Sequence, residues 1–215
     1  MDVKVKICCI QSLSEANMAI AAGASAIGLV GKMPSGPGPI EDEIIFNIAS
    51  RVPPPIATFL LTSRTHAMDI LKHHQRTMTN TIQLVDDVPD EDFTIIKERA
   101  PYIKLVQVVH VTDESSVEYA SRKSEYADAL LLDSGNPNLP VKELGGTGRV
   151  HDWSLSRKIV EQVKVPVFLA GGLNPGNVKQ AIEEVGPYGV DICSGIRSSG
   201  KLDQMKMEAF FKAIK

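Results

Sequence analysis

The stretch PVFLAGGLNPGNV, residues 166–178, contains a short apolar run, a glycine pair and the start of an amphipathic segment in immediate succession. A short apolar run that ends at glycine predicts a buried strand. The segment from residue 175 to 184 predicts a helix, because Asn174 can cap its N-terminus and Pro175 fits its first turn. The stretch is therefore expected to form one βα unit.

The same βα unit recurs along the chain. Strands are expected near residues 3–7, 26–30, 56–61, 81–85, 103–109, 129–132, 166–170 and 189–193. Helices are expected near residues 12–22, 41–50, 65–75, 90–99, 113–124, 153–163, 175–184 and 203–214. Strands that alternate with helices from end to end predict a parallel sheet.

Eight βα units favour closure of that sheet into a (β/α)8 barrel, the TIM barrel. We expect one such domain over residues 1–215, because no linker rich in proline, glycine and serine divides the chain. The alternative is a doubly wound open sheet. Its phosphate-binding form carries G-x-G-x-x-G after the first strand, whereas CCIQSL follows Ile7 here.

Composition and charge exclude several classes of partner. The formal net charge of −3 and the pI near 6.0 argue against nucleic acid and favour a small-molecule ligand. The sequence shows no secretory signal pattern and no membrane-length apolar stretch. Cys8, Cys9 and Cys193 lack the C-x-x-C spacing of a metal or redox site. These features predict a cytoplasmic protein without a membrane or metal site, and they leave its oligomeric state open.

Two side chains at the ends of predicted strands are candidates for catalysis. The active site of a (β/α)8 barrel lies at the C-terminal ends of its strands. Cys8 follows the first strand, and Asp133 ends the sixth after a run of apolar residues. Partial desolvation would suit Asp133 to act as a general acid. The structural alternatives are a buried core thiol at Cys8 and a loop-capping carboxylate at Asp133.

Three glycine-bearing loops predict an anion site at the same end of the barrel. The sequences AGGLNPGN and CSGIRSSG follow the seventh and eighth strands, and LGGTG occupies residues 144–148. Small residues let backbone N–H groups converge on a phosphate. Any one glycine pair could be only a tight turn, but three in these places predict a phosphorylated ligand.

The chain resembles the phosphoribosylanthranilate isomerase family of tryptophan biosynthesis. The resemblance covers nearly the whole length and is most specific in the second half. It is carried by VKICCI at 5–10, GASAIGLV at 23–30, ALLLDS at 129–134, GGTGRVHDWSLS at 145–156, FLAGGLNPGNV at 168–178 and GVDICSGIR at 189–197.

This resemblance implies an Amadori rearrangement of N-(5-phosphoribosyl)anthranilate to a 1-deoxyribulose aminoketone, with no cofactor and no metal. The family's general base falls on Cys8 and its general acid on Asp133. The phosphate would be held by backbone groups of Gly146, Gly171, Gly172, Ser194 and Gly195.

The first half departs from the family in the loop after the second strand. The family places an arginine there for the anthranilate carboxylate, but residues 33–40 read MPSGPGPI. Either another base binds the carboxylate, with Arg64, His110 and Arg197 as candidates, or the aglycone has changed. The alternatives are therefore an isomerase of another phosphosugar amine and a non-catalytic barrel that binds a phosphorylated metabolite.

A second departure places Cys9 where the family has glycine. If the extended chain continued, side chains would alternate and Cys9 would point away from Cys8. We therefore expect Cys9 to lie inert in the layer between the strands and the helices.

Overall fold

The computed structural model describes residues 3–136, 139–146 and 148–215. Eight parallel strands form a closed barrel in chain order, with β1 hydrogen-bonded to both β2 and β8. The strands are β1 (Lys4–Ile7), β2 (Ala26–Val30), β3 (Ala57–Thr62), β4 (Thr81–Leu84), β5 (Lys104–His110), β6 (Ala129–Asp133), β7 (Val167–Leu169) and β8 (Gly189–Ile192). The predicted (β/α)8 barrel is confirmed.

A helix follows each strand of the barrel. The helices are α1 (Leu13–Ala22), α2 (Asp42–Ala49), α3 (Ala67–Thr77), α4 (Asp90–Arg99), α5 (Ser115–Ser124), α6 (Trp153–Gln162), α7 (Val178–Val185) and α8 (Gln204–Ala213). A short 3-10 helix (Ser194–Ile196) and a two-stranded hairpin, β9 (Arg197–Ser198) and β10 (Lys201–Leu202), lie between β8 and α8. None of the described helices is long and apolar enough to cross a membrane.

The predicted boundaries hold to within two residues except at the start of α7, which begins at Val178 rather than at residue 175. The side chain of Asn174 accepts a hydrogen bond from the Gly176 N–H, and that of Asn177 accepts one from the Asn174 N–H. These asparagines build a turn before the helix. The prediction that Asn174 caps the helix directly is therefore wrong.

The strands bury both of their faces, as parallel strands of such barrels do. Along β3, Leu60 packs in the layer between the strands and the helices, whereas Phe59 and Leu61 belong to a separate cluster inside the barrel. The same alternation holds in β6, where Leu131 points inward. Two apolar layers therefore fix the strands and hold their C-terminal ends at one mouth.

A charged pair interrupts the apolar interior. Val5 and Ile7 face the helices, so the alternation of β1 turns Lys6 inward, where it is paired in register with Asp191 of β8. Lys6 Nζ lies 2.9 Å from Asp191 Oδ1, and the two side chains are 0% and 8% exposed. The contact is an ion pair whose angles are not those of an aligned hydrogen bond. It places two opposite charges in the interior close to Cys8.

Candidate active site

A cavity opens at the C-terminal ends of the barrel strands. Its wall contains six of the predicted site residues, which are Cys8, Asp133, Gly146, Gly171, Gly172 and Ser194. Its apolar wall is formed by Val30, Met33, Leu61, Val85 and Leu144. The structure therefore brings the predicted acid, the predicted base and most of the predicted phosphate-binding residues to one site.

Cys8 follows β1 and is held by the sheet. Its N–H donates to the Ile192 carbonyl at 2.8 Å, and its side chain is buried inside the barrel. A Cβ atom at Gly28 of the neighbouring strand would lie 2.8 Å from Cys8 Sγ and 3.0 Å from Lys6 Nζ. Gly28 therefore leaves the space that the thiol and the ammonium group occupy.

The surroundings of Cys8 favour its thiolate. A hydrogen bond from the Cys9 side chain lowers the pKa of the Cys8 thiol, and the Lys6 charge lowers it further. Burial and the Asp191 charge oppose this shift without cancelling it. A thiol with a lowered pKa can serve as a base near neutral pH.

The Lys6–Asp191 pair is a feature that the sequence reasoning missed. Burial would lower the pKa of Lys6, but Asp191 together with the sulfur atoms of Cys8 and Cys9 more than compensates and raises it above its usual range. Burial likewise raises the pKa of Asp191, against the attraction of Lys6. The sequence does contain one indication of this pair. Lys6 and Asp191 are charged residues in two buried strands, and these strands become neighbours when the barrel closes.

Asp133 ends β6 and is 8% exposed. Its Oδ1 accepts a hydrogen bond from the Ser134 N–H at 2.8 Å. Gly145 has a φ of +128°, and a Cβ atom there would lie 2.5 Å from Asp133 Oδ2. Only glycine lets the loop after β6 cross so close to the carboxylate.

Cys9 does not lie where the alternation of an extended strand would put it. It has a φ of +60°, belongs to the cluster inside the barrel and contributes to the cavity wall. The expectation that it lies between strand and helices is wrong, because β1 ends at Ile7 and the chain turns at Cys9. Its Sγ lies 2.6 Å from Cys193 Sγ.

Arg197 supports this turn from outside the cavity. Its guanidinium donates to the carbonyls of Cys8 and Cys9 and to both carboxylate oxygens of Glu15, the latter at 3.1 Å. The Arg197 side chain is 8% exposed. Its two terminal nitrogens are thus engaged with the protein, and the structure does not bring the side chain into the cavity wall.

Three other predicted residues also lie outside the cavity wall. Arg64 is exposed after β3. His110 donates from Nε2 to the Val85 carbonyl at 3.0 Å and lines a neighbouring cleft with Lys142. Gly195 packs so tightly that a Cβ atom would lie 2.1 Å from the Leu173 carbonyl oxygen. Within the ranges that the structure describes, no lysine or arginine contributes to the cavity wall.

The loop after β2 covers part of the mouth. Met33, Ser35, Gly36 and Pro37 contribute to the cavity wall. The Ser35 hydroxyl donates to the Lys142 carbonyl, which ties this loop to the one after β6. A Cβ atom at Gly146 would lie 2.5 Å from Pro37 Cδ. The residues that the segment MPSGPGPI contributes to the wall are therefore uncharged.

The glycine turn after β7 has the conformation that the sequence predicts for an anion site. Gly171 and Gly172 have φ values of +81° and +62°. A Cβ atom at Gly171 would lie 3.0 Å from His151 Nδ1, a buried nitrogen with no hydrogen-bond partner among the described residues. Burial lowers the pKa of His151. A neutral histidine therefore packs behind the turn.

The fold and this cavity define a class of protein, a (β/α)8-barrel enzyme with a thiol, a carboxyl group and glycine turns around one mouth. A sequence model of N-(5'-phosphoribosyl)anthranilate (PRA) isomerase matches residues 5–213. N-(5'-phosphoribosyl)anthranilate isomerase 2 of Methanosarcina mazei is 36% identical over 215 residues, which are 99% of this chain and 94% of the relative.

Solved structures agree with the sequence comparison. Phosphoribosyl anthranilate isomerase from Thermotoga maritima matches with a TM-score of 0.84 and 32% identity, over 99% of this chain and 98% of that chain. A phosphoribosyl anthranilate isomerase in complex with reduced 1-(o-carboxyphenylamino)-1-deoxyribulose 5-phosphate matches with a TM-score of 0.82 and 30% identity, over the same shares. The chain belongs to the N-(5'-phosphoribosyl)anthranilate isomerase family, whose members are isomerases of tryptophan biosynthesis. The resemblance noted in the sequence is confirmed.

Proposed function

We propose that this chain converts N-(5'-phosphoribosyl)anthranilate into 1-(o-carboxyphenylamino)-1-deoxyribulose 5-phosphate by an Amadori rearrangement that uses no cofactor. The observation that carries the proposal is that Cys8 and Asp133 lie in the wall of one cavity together with the glycine turns. Membership of the isomerase family supports the choice of substrate.

Asp133 acts first, as the general acid. It gives its proton to the furanose ring oxygen while the C1–O bond breaks and the lone pair of the aniline nitrogen forms a C=N bond. The product of this step is an open-chain protonated Schiff base with a free hydroxyl. Ser134 holds one carboxyl oxygen through its N–H, which leaves Oδ2 on the side of the Gly145 loop.

Cys8 acts second, as the general base. Its thiolate removes the proton from C2 of the Schiff base, and the electron pair moves toward nitrogen to give an enolamine. The enolamine takes up a proton at C1 and loses one from the C2 hydroxyl, which yields the ketone. The lowered pKa of Cys8 supports this role, because the thiolate must exist before the substrate is attacked.

The phosphate binds to the backbone around Gly146, Gly171, Gly172, Ser194 and Gly195. The first four of these residues contribute to the cavity wall, and three have positive φ values that side chains rarely adopt. A short turn of glycines exposes N–H groups that can converge on an anion. This end of the cavity fixes the sugar phosphate so that C1 and C2 face the acid and the base.

A second candidate concerns the aglycone. In the described part of the cavity wall, the loop after β2 supplies Met33, Ser35 and Pro37 but no cation for a carboxylate. This wall favours an isomerase whose phosphosugar amine carries a neutral aglycone. Bidentate arginine contacts with carboxylates are difficult to replace by uncharged groups. Turnover of the amine made with aniline in place of anthranilate tests this candidate.

The main test is an assay of purified protein with freshly generated phosphoribosylanthranilate, followed by the loss of anthranilate-type fluorescence. Cys8→Ser and Asp133→Asn should each lower the rate by roughly 10²–10⁴-fold, the usual share of a general acid or base. Asp69→Asn, an exposed position on α3, serves as the matched control and should keep the wild-type rate. Turnover should persist after dialysis against a chelator. Absence of turnover in the wild type would overturn the proposal.

A further inference from the structure

All three cysteines of the chain contribute to the wall of the active-site cavity. Cys8, Cys9 and Cys193 are free thiols. The Sγ atoms of Cys9 and Cys193 are only 2.6 Å apart, well inside the van der Waals contact of two sulfur atoms. The rearrangement uses only the Cys8 sulfur as its base, so the reaction does not account for the contact between Cys9 and Cys193.

The fold holds these two thiols together. Strands β1 and β8 are neighbours, with Ile7 in register with Ile192, so the residues that follow them leave the barrel side by side. The left-handed conformation of Cys9 keeps its side chain inside the barrel, close to Cys193. The Arg197 guanidinium binds the Cys9 carbonyl and so fixes this turn.

The loop after β2 covers Cys9, one member of the pair. A Cβ atom at Gly38 would lie 2.7 Å from Cys9 Cβ, so this loop packs directly against Cys9. Cys9 is 4% exposed, whereas Cys193 is only partly buried. The pair therefore has an enclosed member and a member that a small molecule in the cavity can reach.

We propose that Cys9 and Cys193 are a redox modification site that a low-molecular-weight disulfide converts into an intramolecular disulfide beside the catalytic thiol. Its effect on turnover rests on the proposed function, because it acts through Cys8.

The exchange proceeds in two steps. The Cys193 thiolate attacks a disulfide RSSR, forms a mixed disulfide and releases RS⁻, which takes up the proton that Cys193 lost. Cys9 then attacks Cys193 Sγ and displaces a second RS⁻, which takes up the Cys9 proton. Two protein thiols are oxidised, and RSSR is reduced to two RSH.

Oxidation removes a hydrogen-bond donor from the catalytic base. In the reduced protein the adjacent Cys9 thiol lowers the pKa of Cys8 and so favours its thiolate. A disulfide sulfur has no proton to donate, so the Cys8 thiolate loses this stabilisation. The oxidised enzyme should therefore turn over several-fold more slowly near neutral pH and recover toward the reduced rate at alkaline pH.

The modification is tested on the full chain, without an activity measurement. Reduced protein is incubated with oxidised glutathione, unfolded and titrated for thiols, and its peptides are mapped by mass spectrometry. We expect the thiol count to fall from all three cysteines to Cys8 alone, with Cys9 and Cys193 joined and dithiothreitol reversing the link. Three remaining thiols, a stable glutathione adduct, or a link that includes Cys8 would overturn the proposal.

Two variants separate the site from the proposed function. Cys9→Gly and Cys193→Ser should not form an intramolecular disulfide. Glycine is chosen at position 9 because it adopts a φ of +60° without strain. The ratio of reduced to oxidised activity at pH 7 should exceed one in the wild type and equal one in Cys193→Ser. If the wild type forms the link but its ratio of reduced to oxidised activity is also one, the coupling of the disulfide to Cys8 is refuted. A link without any turnover would keep the redox site and refute the isomerase.

Discussion

Lys6 Nζ lies 2.9 Å from Asp191 Oδ1 inside the barrel, at paired positions of its first and last strands. The Lys6 ammonium also lies 5.3 Å from the centroid of the Phe59 ring. An ion pair in an apolar interior is stable only while both charges are present, because each was removed from water at a large cost. The pair therefore links the first and last strands of the barrel, and its two charges also act on the pKa of Cys8.

Lys6→Met should therefore lower the free energy of unfolding by about 3–5 kcal/mol, since it leaves the Asp191 carboxylate buried and unpaired. Urea denaturation measures the loss. Lys104→Met is the matched control, because Lys104 pairs with Asp128 at 3.4 Å while 66% exposed. Its effect should stay below about 1 kcal/mol. Equal losses of unfolding free energy in the two variants would show that the buried pair stabilises the fold no more than the exposed pair does.

The pH dependence of kcat/KM should follow the Cys8 thiolate. The hydrogen bond from Cys9 and the charge of Lys6 hold the pKa of Cys8 below its ordinary value, so activity should rise with pH at values below the usual thiol range. Cys9→Gly removes the donor and should move this limb to higher pH. Under reducing conditions Cys193→Ser keeps Cys9 as donor and should leave the limb in place. A limb that is unmoved in Cys9→Gly would contradict the role of Cys9 in lowering the pKa of Cys8.

The fold could be predicted because short, largely apolar strands alternate with helices along the chain, and the run VFL of β7 is one example. The same regularity places Cys8 and Asp133 at one mouth, since both lie at the C-terminal ends of strands that run in parallel. It also explains the failure at Cys9. Alternation of side chains holds only while the chain stays extended, and β1 ends at Ile7.

The rest of the site depends on contacts between distant parts of the chain. The register of β1 with β8 pairs Lys6 with Asp191, and no local pattern contains that register. Likewise, knowing that a residue follows a strand does not show where its long side chain points. Arg197 turns away from the cavity because Glu15 of α1 offers it a carboxylate.

Glu15→Gln should weaken the support of the Cys9 turn. Burial would raise the pKa of Glu15, but its hydrogen bonds from Arg197 and two backbone N–H groups lower it overall. A carboxyl group with a lowered folded-state pKa contributes stability above its unfolded pKa and loses it as pH falls through the folded value. We expect the variant to be about 1.5–3 kcal/mol less stable at pH 7.

This difference should shrink as the pH falls below about 4.5, the ordinary value for Glu15. Urea denaturation of both proteins between pH 7 and pH 3 measures it. Glu125→Gln, at the C-terminal end of α5, is the control and should show no such convergence. A stability difference that is constant with pH would contradict an ionised Glu15 as the partner of Arg197.

Gly28→Ala should impair catalysis more than it impairs folding. The added methyl group would lie 2.8 Å from Cys8 Sγ, so the thiol must move away from its place in the cavity wall. Overpacking of a core by one methyl group lowers stability by about 1–3 kcal/mol. Gly189→Ala is the matched control, because it crowds the Phe168 ring at 2.7 Å in another strand and contributes nothing to the cavity wall. The two variants should lose similar stability in urea, but only Gly28→Ala should lose most of its kcat. Equal loss of kcat in both would mean that the rate follows barrel stability and not the position of Cys8.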